Sequence, residues 1–191
     1  MRNSRKMKTI KLLAILFIST LTFTACNDEE DHDDHDDHDH EEELITTATY
    51  TLTDGTNTIT LTFQDLDGEG GNPGTTTVSG PLMANTTYTG SMSLLNETES
   101  PAEDITTEVQ AESAEHEFFY TTTVSGLTIT KTDQDSNGDP FGLATSLTTT
   151  GAGTGTITIV LKHEPTKPNN GTAAGAGGET DIEVTFNVTV Q

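Results

Sequence analysis

Four of the six histidines in this chain stand within nine residues, at His32, His35, His38 and His40, interleaved with Asp33, Asp34, Asp36, Asp37 and Asp39. Neutral imidazole is a good ligand for zinc, copper and nickel, and carboxylates add charge and hard oxygen donors. Histidines three apart lie about 10 Å from one another in an extended chain, so a bend or a helical turn must bring two of them onto one ion. Residues 31–43 contain no apolar side chain, and their like charges repel, so the sequence predicts a disordered segment in the metal-free state. The pattern points to divalent-metal binding with zinc the favoured ion. It predicts affinity that falls as the imidazoles protonate. The competing interpretation is an acidic solvating spacer.

Two further stretches place oxygen donors at alternate positions. Asp133, Asp135, Asn137 and Asp139 occupy positions 1, 3, 5 and 7 of a loop with Gly138 at position 6, the first half of a calcium-loop pattern. Ala144 stands where an EF-hand needs a bidentate glutamate, so the EF-hand is excluded while a shorter calcium loop stays open. Asp65, Asp67 and Glu69 repeat the spacing, again with a glycine at position 6. Ordinary Asp/Gly/Asn-rich turns explain either stretch equally well. The last two histidines sit in Glu115-His116-Glu117 and His163-Glu164. Were their strands neighbours, they would form a small metal or proton-linked site; otherwise they are surface histidines beside carboxylates. In the aromatic triplet Phe118-Phe119-Tyr120, one face must enter the core, and Phe119 is the ring left for a binding patch.

Residues 1–25 read as an address. Arg2, Arg5, Lys6, Lys8 and Lys11 precede an apolar run from Leu12 to Phe23 that is too short to span a bilayer. Phe23-Thr24-Ala25-Cys26 resembles a bacterial lipobox, with Phe23 where leucine is usual, and Cys26 is the single cysteine of the chain. The resemblance implies lipidation at Cys26 and a membrane anchor. The acidic cluster Asn27-Asp28-Glu29-Glu30-Asp31 resembles the export signal of Gram-negative surface lipoproteins. It implies a place on the outer membrane facing outward, with the periplasmic face as the alternative. On Cys26, this cluster and the four tract histidines, the chain resembles a group of outer-membrane lipoproteins with an Asp/His-rich segment after the lipid cysteine. It is loosely similar also to a family labelled "type 1 periplasmic binding fold superfamily", a label that implies an α/β fold.

The rest of the sequence predicts something else. Thirty-six threonines follow Ala25, and apolar residues alternate with them in period two. Such faces are Ala48/Tyr50/Leu52, Ile59/Leu61/Phe63, Ile157/Ile159/Leu161 and Ile182 to Val190, separated by turn signals such as Asp54-Gly55 and Ser136-Asn137-Gly138. Only Ala102 to Glu117 has room for a helical turn or two. The expectation is an all-β domain over residues 44–191, a single antiparallel Ig-like β-sandwich of about eight strands with a barrel as runner-up. It follows a signal peptide (1–25) and a tether (26–43).

Charge and composition exclude several functions. The 191 residues carry 8 Lys+Arg against 31 Asp+Glu, a net charge of −23, which is wrong for binding nucleic acid. One cysteine excludes an internal disulfide framework and a cysteine-based zinc finger. No nucleophile elbow, phosphate loop or metalloprotease helix is present, and the expectation is a protein that is not an enzyme. Two functions remain. One is a lipid-anchored surface protein that captures a divalent metal, zinc first, for an outer-membrane receptor or transporter. The other is an adhesion module whose loops recognise a glycan or a protein. Calcium is a possible structural cofactor in either.

Overall fold

A threonine presents a branched, weakly polar face that suits the solvent side of a pleated strand, and the alternate apolar residue suits the core side. In the computed structural model, which describes residues 43–68 and 71–191, this alternation produces nine strands. They are β1 (Thr47–Thr53), β2 (Thr58–Gln64), β3 (Thr75–Val78), β4 (Thr87–Leu95), β5 (His116–Thr122), β6 (Leu127–Lys131), β7 (Ala144–Thr149), β8 (Gly153–His163) and β9 (Glu179–Val190). Two helices interrupt them, α1 (Ile105–Ala111) and the single turn α2 (Ala173–Ala176). The stretch expected to be a signal peptide, Cys26, the tract from His32 to His40 and Glu69 lie outside the described residues.

All strand pairings are antiparallel. Six strands form one sheet in the order β3-β2-β1-β4-β7-β6, and three form a second in the order β5-β8-β9. The sheets do not close into a barrel, and the fold is an all-β sandwich. Tyr50, Leu52, Leu61, Leu94 and Leu147 from the first sheet meet Phe118, Ile157, Ile159, Leu161 and Phe186 from the second in one continuous core. Every apolar face named from the alternation contributes to that core or packs against it.

The helix falls inside the stretch the sequence reserved for one. Asp104 caps it, its carboxylate accepting from the Thr106 amide at 3.1 Å and the Thr107 hydroxyl at 3.1 Å. Ile105 and Val109, four apart, bury its inner stripe. Thr106 fastens α1 to β4 by accepting from the Leu94 amide (2.8 Å) and donating to the Leu94 carbonyl (3.1 Å). The helix ends at Glu112, four residues before β5 begins, and so fixes where His116 enters the second sheet.

The segment between β8 and β9 folds back over the outer face of the three-stranded sheet. Its Ala176 and Ala173 pack on Phe119 and Val160 in a small second cluster. Phe119 is 2% exposed. The expected surface ring is therefore a covered one, because sequence alternation places it outward but says nothing of a loop that returns to lie on it.

Candidate metal centre

His116 opens β5 and His163 closes β8, and the register of the two strands sets them directly opposite. Side chains of a directly opposed pair leave the sheet on the same face. The two imidazoles stack there with centroids 4.6 Å apart and planes 12° from parallel. His116 is fully buried. Its Nδ1 lies 3.2 Å from the Glu112 carbonyl oxygen at the end of α1. A ring nitrogen that donates to a carbonyl leaves the other nitrogen as the lone-pair donor, the tautomer that binds metals.

That other nitrogen, Nε2, faces carboxylates. It is 3.2 Å from Oε1 of Glu43 and 3.7 Å from Oδ2 of Asp181, whose side chain is wholly buried. It has no hydrogen-bond partner of acceptable alignment, and neither has the buried Oε2 of Glu43. Glu43, His116 and His163 each offer one ligand atom, and these atoms lie within 4.8 Å of one another. Two imidazoles and two carboxylates are a donor set suited to a divalent transition ion. An ion lies in the plane of each imidazole it binds, so parallel stacked rings must turn about their Cβ–Cγ bonds to share one. Both carboxylates already stand at the His116 nitrogen.

Asp181 arrives there by a register shift. Leu161 pairs with Ile182 and Lys162 with Thr180, so Asp181 is the extra residue of a β-bulge. Plain alternation with Ile182, Val184 and Phe186 would turn Asp181 to the outer face; the bulge re-aims it. Glu43 was assigned to the end of the tether on composition, yet it is seated in the folded domain against His116.

The electrostatics of the pair are reciprocal. The His116 imidazole, 3.2 Å away, holds the Glu43 carboxyl below its ordinary range, against the opposing effect of burial. Burial works against charge on His116, but Glu43, the Glu112 carbonyl and Asp181 together raise its pKa above the usual value. The carboxylates thus favour a proton on His116, one that a bound cation would have to displace.

The corner that presents His116 is held from behind. Lys167 Nζ donates to the carbonyls of Ser113 (2.7 Å) and His116 (2.6 Å) and to Oδ2 of Asp135 (2.9 Å). The Glu164 amide donates to the Glu115 carbonyl at 2.6 Å. On the solvent side, a cavity of about 440 Å³ reaches Glu43 and Asp181, with Asp65 and Glu183 as its other acidic walls.

The two loops with calcium-like spacing are built differently from one another. Asp133 spends its oxygens on the amides of Gly142 (2.7 Å) and Ala144 (2.9 Å). Asp135 Oδ1 takes the amides of Asn137 (2.8 Å) and Asp139 (3.0 Å), and its Oδ2 takes Lys167. All four oxygens are engaged by donors of the protein itself, and an ammonium stands beside the turn. In the other loop Asp67 Oδ2 accepts from the amide and side chain of Asn72, both at 3.0 Å. Asp65 is brought beside Asp67, whose carboxylate raises the Asp65 pKa by a shared hydrogen bond. Glu69 is not among the described residues.

No protein-family model, no curated protein and no solved structure matches this chain.

Proposed function

We propose that this chain is a lipid-anchored surface protein that binds a divalent transition ion, zinc first, at a centre formed by Glu43, His116, His163 and Asp181. The observation that carries the reading is the state of His116: a fully buried imidazole, fixed through Nδ1 by a backbone carbonyl, with Nε2 turned to two carboxylates and a second histidine alongside. Imidazoles and carboxylates that converge in a buried pocket are a donor set matched to a divalent cation. The tract from His32 to His40 gathers ions near the membrane through Cys26 anchoring, and the folded centre is the site of defined geometry. Delivery to an outer-membrane receptor or transporter is the role this arrangement serves.

The test is calorimetric titration of the unlipidated mature chain with zinc. Wild type, His116→Ala/His163→Ala and a chain lacking residues 31–40 are compared. The deletion should remove weak sites and keep one tight site, and the double substitution should remove the tight site. Equal zinc binding by wild type and the double variant, with circular dichroism showing both folded, would refute the centre.

A further inference from the structure

Next to His116, but on the opposite face of the sheet, Glu117 occupies a different environment. Its side chain is 4% exposed. One carboxylate oxygen, Oε1, is in contact with the Lys131 ammonium at the end of β6. The other, Oε2, accepts from Nδ2 of Asn169 at 2.6 Å. The Asn169 carbonyl oxygen in turn accepts from the Gly171 amide at 2.8 Å. Lys131 Nζ lies 4.3 Å from the centroid of the covered Phe119 ring. Ile129, Pro140 and Pro168 contribute to the walls of the cavity, of about 430 Å³, that holds these groups. Lys131 and Lys167, two of the three cations that follow Ala25, line it.

An amine, a carboxylate touching both the amine and a carboxamide nitrogen, and a backbone amide on the carboxamide oxygen are the parts of an acyl-transfer site. We propose that the folded domain joins Lys131 Nζ to Asn169 Cγ in an intramolecular isopeptide bond, releasing ammonia. Glu117 first takes a proton from the Lys131 ammonium, leaving a free amine. The amine attacks Asn169 Cγ, and the charge that develops on Oδ1 is met by the Gly171 N–H. Glu117 returns its proton to Nδ2, which already points at it, and recovers one from the attacking nitrogen. The Cγ–Nδ2 bond breaks, ammonia departs and takes from Glu117 the proton it recovered, leaving as ammonium and restoring the carboxylate, and a secondary amide remains. One C–N bond forms and one breaks, charge is conserved, and no oxidant or second substrate is needed.

The surroundings favour each part. Burial pushes the Lys131 pKa down, against the Glu117 carboxylate, which raises it, so the free amine is more accessible than on a surface lysine. The apolar walls strengthen the proton transfer and limit the water that would hydrolyse the carboxamide instead. The fold holds the reactants in one place, and such proximity replaces an otherwise improbable encounter. The product would cross-link the edge strand β6 of the six-stranded sheet to the loop that follows β8 of the other.

Intact-mass and peptide-fragment spectrometry of the unlipidated mature chain decides the matter. The expected mass is lower than the sequence mass by one ammonia, and digestion should release a branched peptide joining Lys131 to Asn169. Glu117→Gln, Lys131→Arg and Asn169→Ala should each restore the mass expected for an uncrosslinked chain. Asn170-Gly171 can also lose ammonia, by closing to a succinimide. That product gives only linear peptides and opens in mild base, whereas the isopeptide bond survives. Folded wild type at its full sequence mass, linear peptides alone, or an unchanged ammonia loss in Glu117→Gln would each overturn the proposal, whether or not the other variants fold.

Discussion

Replacing Lys167 with methionine would keep the apolar stem of the side chain and remove its ammonium. Lys167 is 6% exposed at its side chain, and Asp135, its ion-pair partner, is 0% exposed. The substitution deletes one charge-assisted hydrogen bond, worth about 1.5–3 kcal/mol, and two bonds to carbonyls, worth about 0.5–1.5 kcal/mol each. It also leaves a buried carboxylate without its cation, although the amides of Asn137 and Asp139 still serve Oδ1. Against these losses stands the desolvation of Lys167 that the variant no longer suffers. A net destabilisation of about 2–4 kcal/mol follows, equivalent to about 5–15 °C in melting temperature for a domain of this size.

Acid dependence gives an independent check. Burial pushes the Asp135 pKa upward, but Lys167 and the loop amides overcome it and hold it below the ordinary range. A depressed carboxyl stabilises the fold above its unfolded pKa and loses that contribution as pH falls through the folded value. Lys167→Met should therefore flatten the acid limb of the stability profile as well as lowering its plateau. Differential scanning calorimetry from neutral to acid pH, with Asp135→Asn and the double variant closing a cycle, measures both effects. A melting shift below about 2 °C, or a cycle with no coupling between the two residues, would refute the claim that this network holds the corner.

Zinc affinity of the tight site should rise with pH as ions displace the proton on His116, with fewer protons released per zinc bound in His116→Ala. Because the His116 pKa is raised in the fold, its metal-free pairing with Glu43 stabilises below the ordinary imidazole pKa and fades as pH rises through the folded value; titrations in buffers of different ionisation enthalpy count the proton released. Gly178→Ala places a Cβ 2.2 Å from the His163 carbonyl oxygen at a φ of +70°, so it should lower both the melting temperature and zinc affinity, read by calorimetry. Gly90→Ala sets a Cβ 2.3 Å from Thr145 Oγ1 and 2.6 Å from the Tyr50 hydroxyl, which bond one another at 2.6 Å in the core. Its expected cost is about 1–3 kcal/mol in a urea titration, with no effect on zinc affinity.

The architecture was legible because the period-two pattern is a direct physical consequence of the pleat. The runs Ala48–Leu52, Ile157–Leu161 and Ile182–Val190 could place their apolar members on one face only, and that face became the core. Pairing was not legible, since any alternating strand can lie beside any other. His116 and His163 were visible as two histidines with acidic neighbours, but their meeting depends on β5 and β8 being adjacent in this register. Asp181 was hidden by the same rule that revealed the sheets, because a bulge reverses the parity the rule assumes. Glu43 was hidden by composition, since it looks like the last of a run of acids. The Glu117–Lys131–Asn169 cluster joins positions whose proximity depends on a loop returning across the sheet, and no spacing in the sequence encodes that return.

The threonine faces have a consequence for how this protein meets its surroundings. Glu117, Glu179, Asp181 and Glu183 are the only acidic residues within the nine strands. The broad outer faces instead carry hydroxyl pairs such as Thr87 with Thr148 (3.2 Å) and Thr158 with Thr185 (2.8 Å). The domain is thus an electrically quiet plate with a negative rim. Its sheets therefore set few carboxylates opposite one another and are spared the cross-strand repulsion such pairs would cause. A passing cation is drawn to the rim, where the cavity beside Glu43 and Asp181 opens, and finds little to hold it on the flats.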